Sequence, residues 1–199
     1  MVSDMIAAPD TLHTELRESV RQYQEIKRRV ETIRDGLSPE QFNWRPAGDR
    51  WSIAQNLDHL NREARVQVPV VEQMIERGRR ERVWGQGPFR HSWFGDRFVA
   101  FLEPPYKVKV PAMGQFTPPS SLVAEEVAAE FMRWQDRLID ISFQAHGLHL
   151  ARLTAKIPYL SRGLPALSLG QWLRYIAAHA RRHLWQMEHL VLNAANFPR

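Results

Sequence analysis

Apolar residues return at helical spacing in four long stretches, and these stretches frame the chain. Leu12, Leu16, Val20, Tyr23, Ile26, Val30 and Ile33 predict a first helix from Thr11 to Asp35, closed by Gly36. Ser38 and Pro39 then stand at the N-cap and first position of a short helical turn through Phe42. A second helix opens at Ser52 with Gln55 three residues on, the pattern of a capping box that satisfies two otherwise unbonded amides. Its aliphatic stripe is Ile53, Leu57, Leu60, Ala64, Val68, Val71 and Ile75, and it is expected to end near Arg77, at Gly78. Pro69 predicts a bend near Val66, or two shorter helices, because an interior proline deletes a hydrogen bond. A third helix is expected from Ser120 to Ala145, on Val123, Val127, Phe131, Trp134, Leu138 and Ile141. The last begins at a further capping pair, Ser168 and Gln171, and places Trp172, Ile176, Met187 and Leu190 on one side, with Arg181, Trp185 and Glu188 opposite.

No stretch alternates convincingly in the manner of a half-buried strand, so the pattern predicts an all-α four-helix bundle. The second and third helices are joined by residues 80–119, a long connection for a compact domain. Trp84, Phe89, Trp93, Phe94, Phe98 and Phe101 give it too much apolar surface to stay solvated, and Asp96 to Glu103 suits a short helix. It is expected to cross the bundle, setting the second and third helices parallel, as a packed crossover, a substrate lid or both.

A chain of 199 residues, 44% apolar and 25% charged, suits one globular domain over residues 1–199. No run is long and apolar enough to span a bilayer. The opening segment lacks the basic start and apolar core of a secretory signal, and there is no cysteine, which together predict a cytoplasmic protein. The missing cysteine also excludes disulfide scaffolds, cysteine nucleophiles and cysteine-ligated zinc. The formal charge of +5 and pI of about 10.0 raise nucleic acid as a partner. The arginines, however, are spread over several helices among glutamates, so solvated faces are expected instead, with Arg77 to Arg82 the densest patch.

The candidate chemistry lies on the last helix. His179 and His183 sit one turn apart at the centre of its apolar side, with Cβ atoms roughly 6 Å apart, close enough to grip one metal ion. Two core histidines bonded to neighbouring side chains would satisfy the same pattern. His59 lies off the main stripe of the second helix, on a side shared with Asn56, Glu63, Val66 and Val70, which suits a helix buried on two sides or the edge of a cleft. Spacing alone does not bring it to the other two. His146 and His149 suit a helix C-terminus, where imidazolium complements the dipole.

Trp51-Ser52-Ile53-Ala54-Gln55-Asn56-Leu57-Asp58-His59-Leu60 resembles the W-S-x-x-Q-x-L-x-H-L opening of the second helix in the DinB/YfiT-like four-helix-bundle proteins. Ala178-His179-Ala180-Arg181-Arg182-His183-Leu184-Trp185-Gln186 resembles that family's H-x-x-R-H on the last helix. The helical layout and the long aromatic- and proline-rich connection extend the likeness over nearly the whole chain. The family is distinct from the translesion polymerase that shares its name. The resemblance implies that His59, His179 and His183 jointly bind a divalent ion (zinc, nickel, iron or manganese) at one end of the bundle, with positions open for water or substrate. Asn56, Glu63 and Tyr175, each one turn from a ligand, are expected to orient the rings.

Relatives in this family use a low-molecular-weight thiol such as bacillithiol or mycothiol, and others are described as metal-dependent hydrolases. The resemblance therefore implies a thiol-dependent S-transferase, or a hydrolase, acting on a small electrophilic molecule, with Trp93 or Phe94 walling the pocket. The rival reading is a bundle that binds metal structurally or not at all and works through a partner surface. The motifs contain no general base, which keeps that reading open. Homodimerisation through exposed apolar helix surface is compatible with both.

Overall fold

The computed structural model describes residues 12–46, 50–106, 108, 111–120, 122–160, 165–193 and 197–198. Six helices follow in order: α1 (Thr14–Asp35), α2 (Pro39–Asn43), α3 (Ile53–Arg80), α4 (Trp93–Leu102), α5 (Ala124–Gln144) and α6 (Leu169–Asn193). A 3₁₀ turn at Gly114–Phe116 precedes α5, and two-residue strands β1 (Thr154–Ala155) and β2 (Leu167–Ser168) pair antiparallel before α6. Strands this short leave no period for a sequence to display. The fold is all-α in the main, as the hydrophobic pattern predicts.

Long helices α1, α3, α5 and α6 form the bundle, with α1 and α3 each packed against both α5 and α6. Cross-helix pairs give the directions. Asn61 bonds the Val127 carbonyl, Arg65 pairs with Glu130, Glu72 with Arg137, and Arg79 with the Gln144 carbonyl, so α3 and α5 run parallel. Asn56 meets His183 and Glu63 meets His179, so α3 and α6 run antiparallel. The connection between α3 and α5 therefore returns along the bundle, as its length implies. Leu16, Ile26, Ile53, Leu57, Leu138 and Ile141 are fully buried between the helices, each contributing about 1.5–3 kcal/mol by burial. Tyr23 is buried with them and donates to the Leu173 carbonyl at 2.7 Å.

The capping pairs form as expected: Ser52 and Gln55 exchange side-chain and backbone bonds at the start of α3, and Ser168 and Gln171 do so at α6. Ser38 and Gln41 make the same box at α2. Two expectations for α3 are corrected. Of the two outcomes expected at Pro69, two shorter helices are ruled out: α3 is one helix through the proline, which lies on the solvent face, where water can satisfy the Arg65 carbonyl that the proline cannot bond. It also continues past Gly78 to Arg80. Gly78 is there for packing, since a Cβ would stand 2.5 Å from Leu153 Cδ1 and 3.2 Å from Leu148 Cδ2, both on buried leucines.

α6 is covered on more sides than its one-sided stripe suggests. α4 lies along it, held by Asp96 to Arg174 at 2.8 Å and by Gln171 Nε2 to the Ser92 carbonyl at 2.7 Å. Gly95 permits that approach, as a Cβ there would stand 2.4 Å from the Gln171 amide. Arg181 pairs with Glu103 and Gln22, and Glu188 with Arg29. His149 does not act as a helix cap: it packs over Gly85 and against Phe89, in the stretch where Trp84 bridges Leu148.

Overfilling the contact at Gly78 should be costly despite the gain in helix propensity. Gly78→Val is expected to lower the unfolding free energy by about 1–3 kcal/mol, read as a lower urea midpoint at unchanged slope.

Candidate metal centre

Antiparallel packing of α3 on α6 brings His59, His179 and His183 together. One ring nitrogen from each lies within 4.8 Å of the others. His59 and His183 are 4% and 6% exposed, so their polar atoms depend on partners inside the protein. Those partners are specific. His59 Nδ1 lies 2.9 Å from the Phe116 carbonyl, which can only accept. His183 Nδ1 lies 2.8 Å from Asn56 Oδ1, and the Asn56 amide is oriented by its own bond to the Ser52 carbonyl at 2.8 Å. His179 Nδ1 lies 2.8 Å from Glu63 Oε2.

Three acceptors facing three Nδ1 atoms place the hydrogen of each neutral ring on Nδ1 and leave a lone pair on each Nε2. His179 Nε2 and His183 Nε2 are 3.1 Å apart. Two lone pairs at that separation repel unless a proton or cation lies between them. Converging imidazole acceptors with hydrogen-bonded outer nitrogens are the donor set a divalent ion takes, so these residues fit one. The Trp51 ring packs 4.9 Å from that of His59 and stacks on that of His183 at 6.0 Å, shielding the cluster.

Glu63 connects the histidines to a buried polar network. Its Oε2 accepts from Gln67 Nε2 at 2.7 Å, Gln67 also bonds Tyr159, and the Tyr159 and Tyr175 hydroxyls are 2.9 Å apart. Tyr175 stacks on His179, with ring planes 11° apart. Burial would raise the Glu63 pKa, but His179, by charge and hydrogen bond, and then His59 outweigh it, so the carboxyl sits below its ordinary value. Burial lowers His59 and, much further, His183, and in both cases repulsion from a proton on neighbouring His179 would add to the effect.

A cavity of about 1210 Å³ opens on the three histidines. Phe98, Phe101, Tyr106 and Trp185 supply aromatic lining, and Arg50, Glu63 and Arg182 supply charge. This corrects the expected walls, because Trp93 is 75% exposed and neither it nor Phe94 lines the cavity. The α4 helix begins earlier than expected and brings Phe98, half-buried, and Phe101, which stays largely exposed, to the cavity instead. Asn56 and Glu63 take the orienting positions expected of them, whereas Tyr175 reaches His179 by stacking. The Phe116 carbonyl, Gln67 and Tyr159 had no signal in the sequence. Trp51 had one, in the motif, without a role attached.

Acid should loosen the metal-free fold. The unfolded chain takes protons near pH 6.5 that folded His59 and His183 refuse, so stability rises with pH across and below that value. Glu63 acts in the same direction at lower pH, its contribution being lost as pH falls through its depressed value. The melting temperature of chelator-treated protein is expected to fall steadily from about pH 7.5 to 5, and less steeply in His183→Gln.

The chain is 27% identical to the uncharacterized protein YuaE of Bacillus subtilis (strain 168) over 169 residues, covering 81% of this chain and 91% of that protein. No solved structure is significantly similar to it. The sequence profile of the DinB superfamily matches residues 22–187, from within α1 to the histidine-bearing stretch of α6, and the chain belongs to the DinB superfamily.

Proposed function

We propose that the chain is a divalent-metal-dependent enzyme, a thiol-dependent S-transferase acting on a small electrophilic molecule, with His59, His179 and His183 holding the ion. The observation that carries this reading is the convergence of three hydrogen-bonded imidazoles on a large cavity. At about 1210 Å³ the cavity exceeds the few hundred to about a thousand Å³ common for single small ligands, which suits a thiol and an electrophile side by side. The ion would supply Lewis acidity and favour the thiolate form of a bound thiol.

The chain's own groups support transfer over hydrolysis. Among the described residues Glu63 is the carboxylate lining the cavity, and its oxygens are already engaged by His179 and Gln67, which leaves it poorly placed to take a proton from water. It holds the proton of His179 Nδ1 and so keeps Nε2 free. Burial first, then the Glu63 charge, raises Tyr159, which stays protonated and lines the cavity as a hydroxyl donor. Phe98 and Trp185 give the cavity an apolar lining that disfavours water, the competing nucleophile.

Protein purified without a histidine tag is expected to carry about one equivalent of metal, lost in His179→Ala. Loaded in turn with zinc, nickel and manganese, it is expected to conjugate bacillithiol, mycothiol or coenzyme A to an electrophilic arene or epoxide, and His179→Ala is expected to abolish turnover. A protein that takes up none of these metals sinks the enzyme reading. One that takes up metal and turns over no pair is a bundle with a structural ion. Asn56→Leu, which removes the acceptor for His183 Nδ1, is expected to weaken zinc affinity about 10–100-fold in competition with a chromogenic chelator, with the helical circular dichroism unchanged.

A further inference from the structure

We propose that the cavity takes a ligand ending in a carboxylate, and that Arg182 is the residue that recognises it. This deepens the transferase reading and rests on it for taking the cavity as the substrate site. Arg182 precedes His183 on α6, lines the same cavity and is 5% exposed. Its guanidinium carbon lies 4.0 Å from the centre of the Tyr106 ring, and Nη2 donates to the Val108 carbonyl at 2.6 Å. Nη1 is shut off from solvent and has no hydrogen-bond partner among the described residues. A guanidinium keeps its charge and offers a planar fork of donors, so an unbonded arm bears its desolvation uncompensated. The contacts to Tyr106 and Val108 use the guanidinium face and Nη2 and leave Nη1 over.

The charges around the cavity favour the same ligand. Arg50 also lines it, while the Glu63 carboxylate is already engaged by His179 and Gln67. Positive charge is thus in excess, and a bound divalent ion would add to it. Phe98, Phe101, Leu102 and Trp185 offer an apolar wall. An apolar body ending in a carboxylate meets both demands, through charge-assisted bonds to the arginine and burial against the aromatics.

The test is binding, not turnover. 4-Phenylbutyrate and its neutral amide are titrated against the protein as purified, and again after chelator treatment and desalting, and quenching of tryptophan fluorescence is read; Trp51 and Trp185 line the cavity. The carboxylate is expected to bind about tenfold more tightly than the amide in both preparations. Arg182→Met is expected to abolish that preference, and Arg182→Lys, which keeps the charge but not the fork, to retain part of it. Equal affinities, no saturable binding of the carboxylate, or a preference that survives Arg182→Met overturns the proposal. A preference confined to the metal-loaded protein overturns it too, because the ion is then the receptor. Should Arg182→Met fail to fold, Arg182→Lys decides, since weaker carboxylate binding at unchanged amide binding is required. Metal content of the same samples separates the two readings: protein that carries no metal as purified and takes up none from added zinc, nickel or manganese, yet still prefers the carboxylate, sinks the transferase reading alone.

Discussion

Along the seam between α3 and α6, polar pairs follow one another at single turns of α6 and at two turns and then one of α3: Asn56 with His183, Glu63 with His179, Gln67 with the Tyr159 and Tyr175 hydroxyls. This buried ladder fixes how the two helices sit. Apolar side chains tolerate sliding of one helix on another, because leucine packs nearly as well one notch along. A carboxylate and three imidazoles do not, since a shift of one turn would leave several buried polar atoms unbonded, each costing about 1–3 kcal/mol. The rest of the bundle can be read as support for that seam. α5 presses on α3 from one side through Arg65–Glu130 and Arg137–Glu72, and α1 presses on α6 through Arg29–Glu188.

The connection between α3 and α5 completes the site from outside the bundle. Its 3₁₀ turn presents the Phe116 carbonyl to His59, and Gln55 of the α3 capping box holds the next stretch at the Pro119 carbonyl. α4 presents Phe98 and Phe101, and Tyr106 follows. A cluster built from α3 and α6 alone would have an unbonded His59 Nδ1 and an open face. The length of the connection follows from those tasks: it must return along the bundle so that α5 can start beside the start of α3, and it furnishes the cavity on the way. Crossover and cavity wall are one object here.

The sequence displayed what depends on local rules. Capping pairs at Ser52 and Ser168, the apolar stripes and the parallel setting of α3 and α5 all follow from spacing, turn chemistry and connection length. Contacts between distant segments were hidden. Gly78 has the form of a helix stop, and the leucines that require a glycine there lie some seventy residues on. Trp93 and Phe94 were indistinguishable by composition from Phe98 and Phe101, and the docking of α4 through Gly95, Asp96 and Gln171 decides which aromatics reach the cavity. In the site, His59 was visible through the motif around it, but its partner is a backbone carbonyl, which any residue supplies and no sequence advertises. Glu63 showed through its helical offset from His59, whereas Tyr159, on a turn, shares no periodicity with the residues it joins.

Neighbouring positions on α6 divide the work of the cavity by direction. Successive residues point about 100° apart, so Arg181, Arg182 and His183 face three different surroundings. Arg181 reaches across to Glu103 and Gln22 and ties α4's end to α1. His183 points into the seam with α3. Arg182, between them in sequence, lies under Tyr106 and Val108 at the cavity rim. A lysine at 182 could keep the charge but would lose the planar fork that lets one arm bond Val108 while another remains to donate. Two adjacent arginines with such different company cannot be exchanged in role. Adjacent in sequence, the two are in the fold one structural tie and one unspent donor beside the histidines.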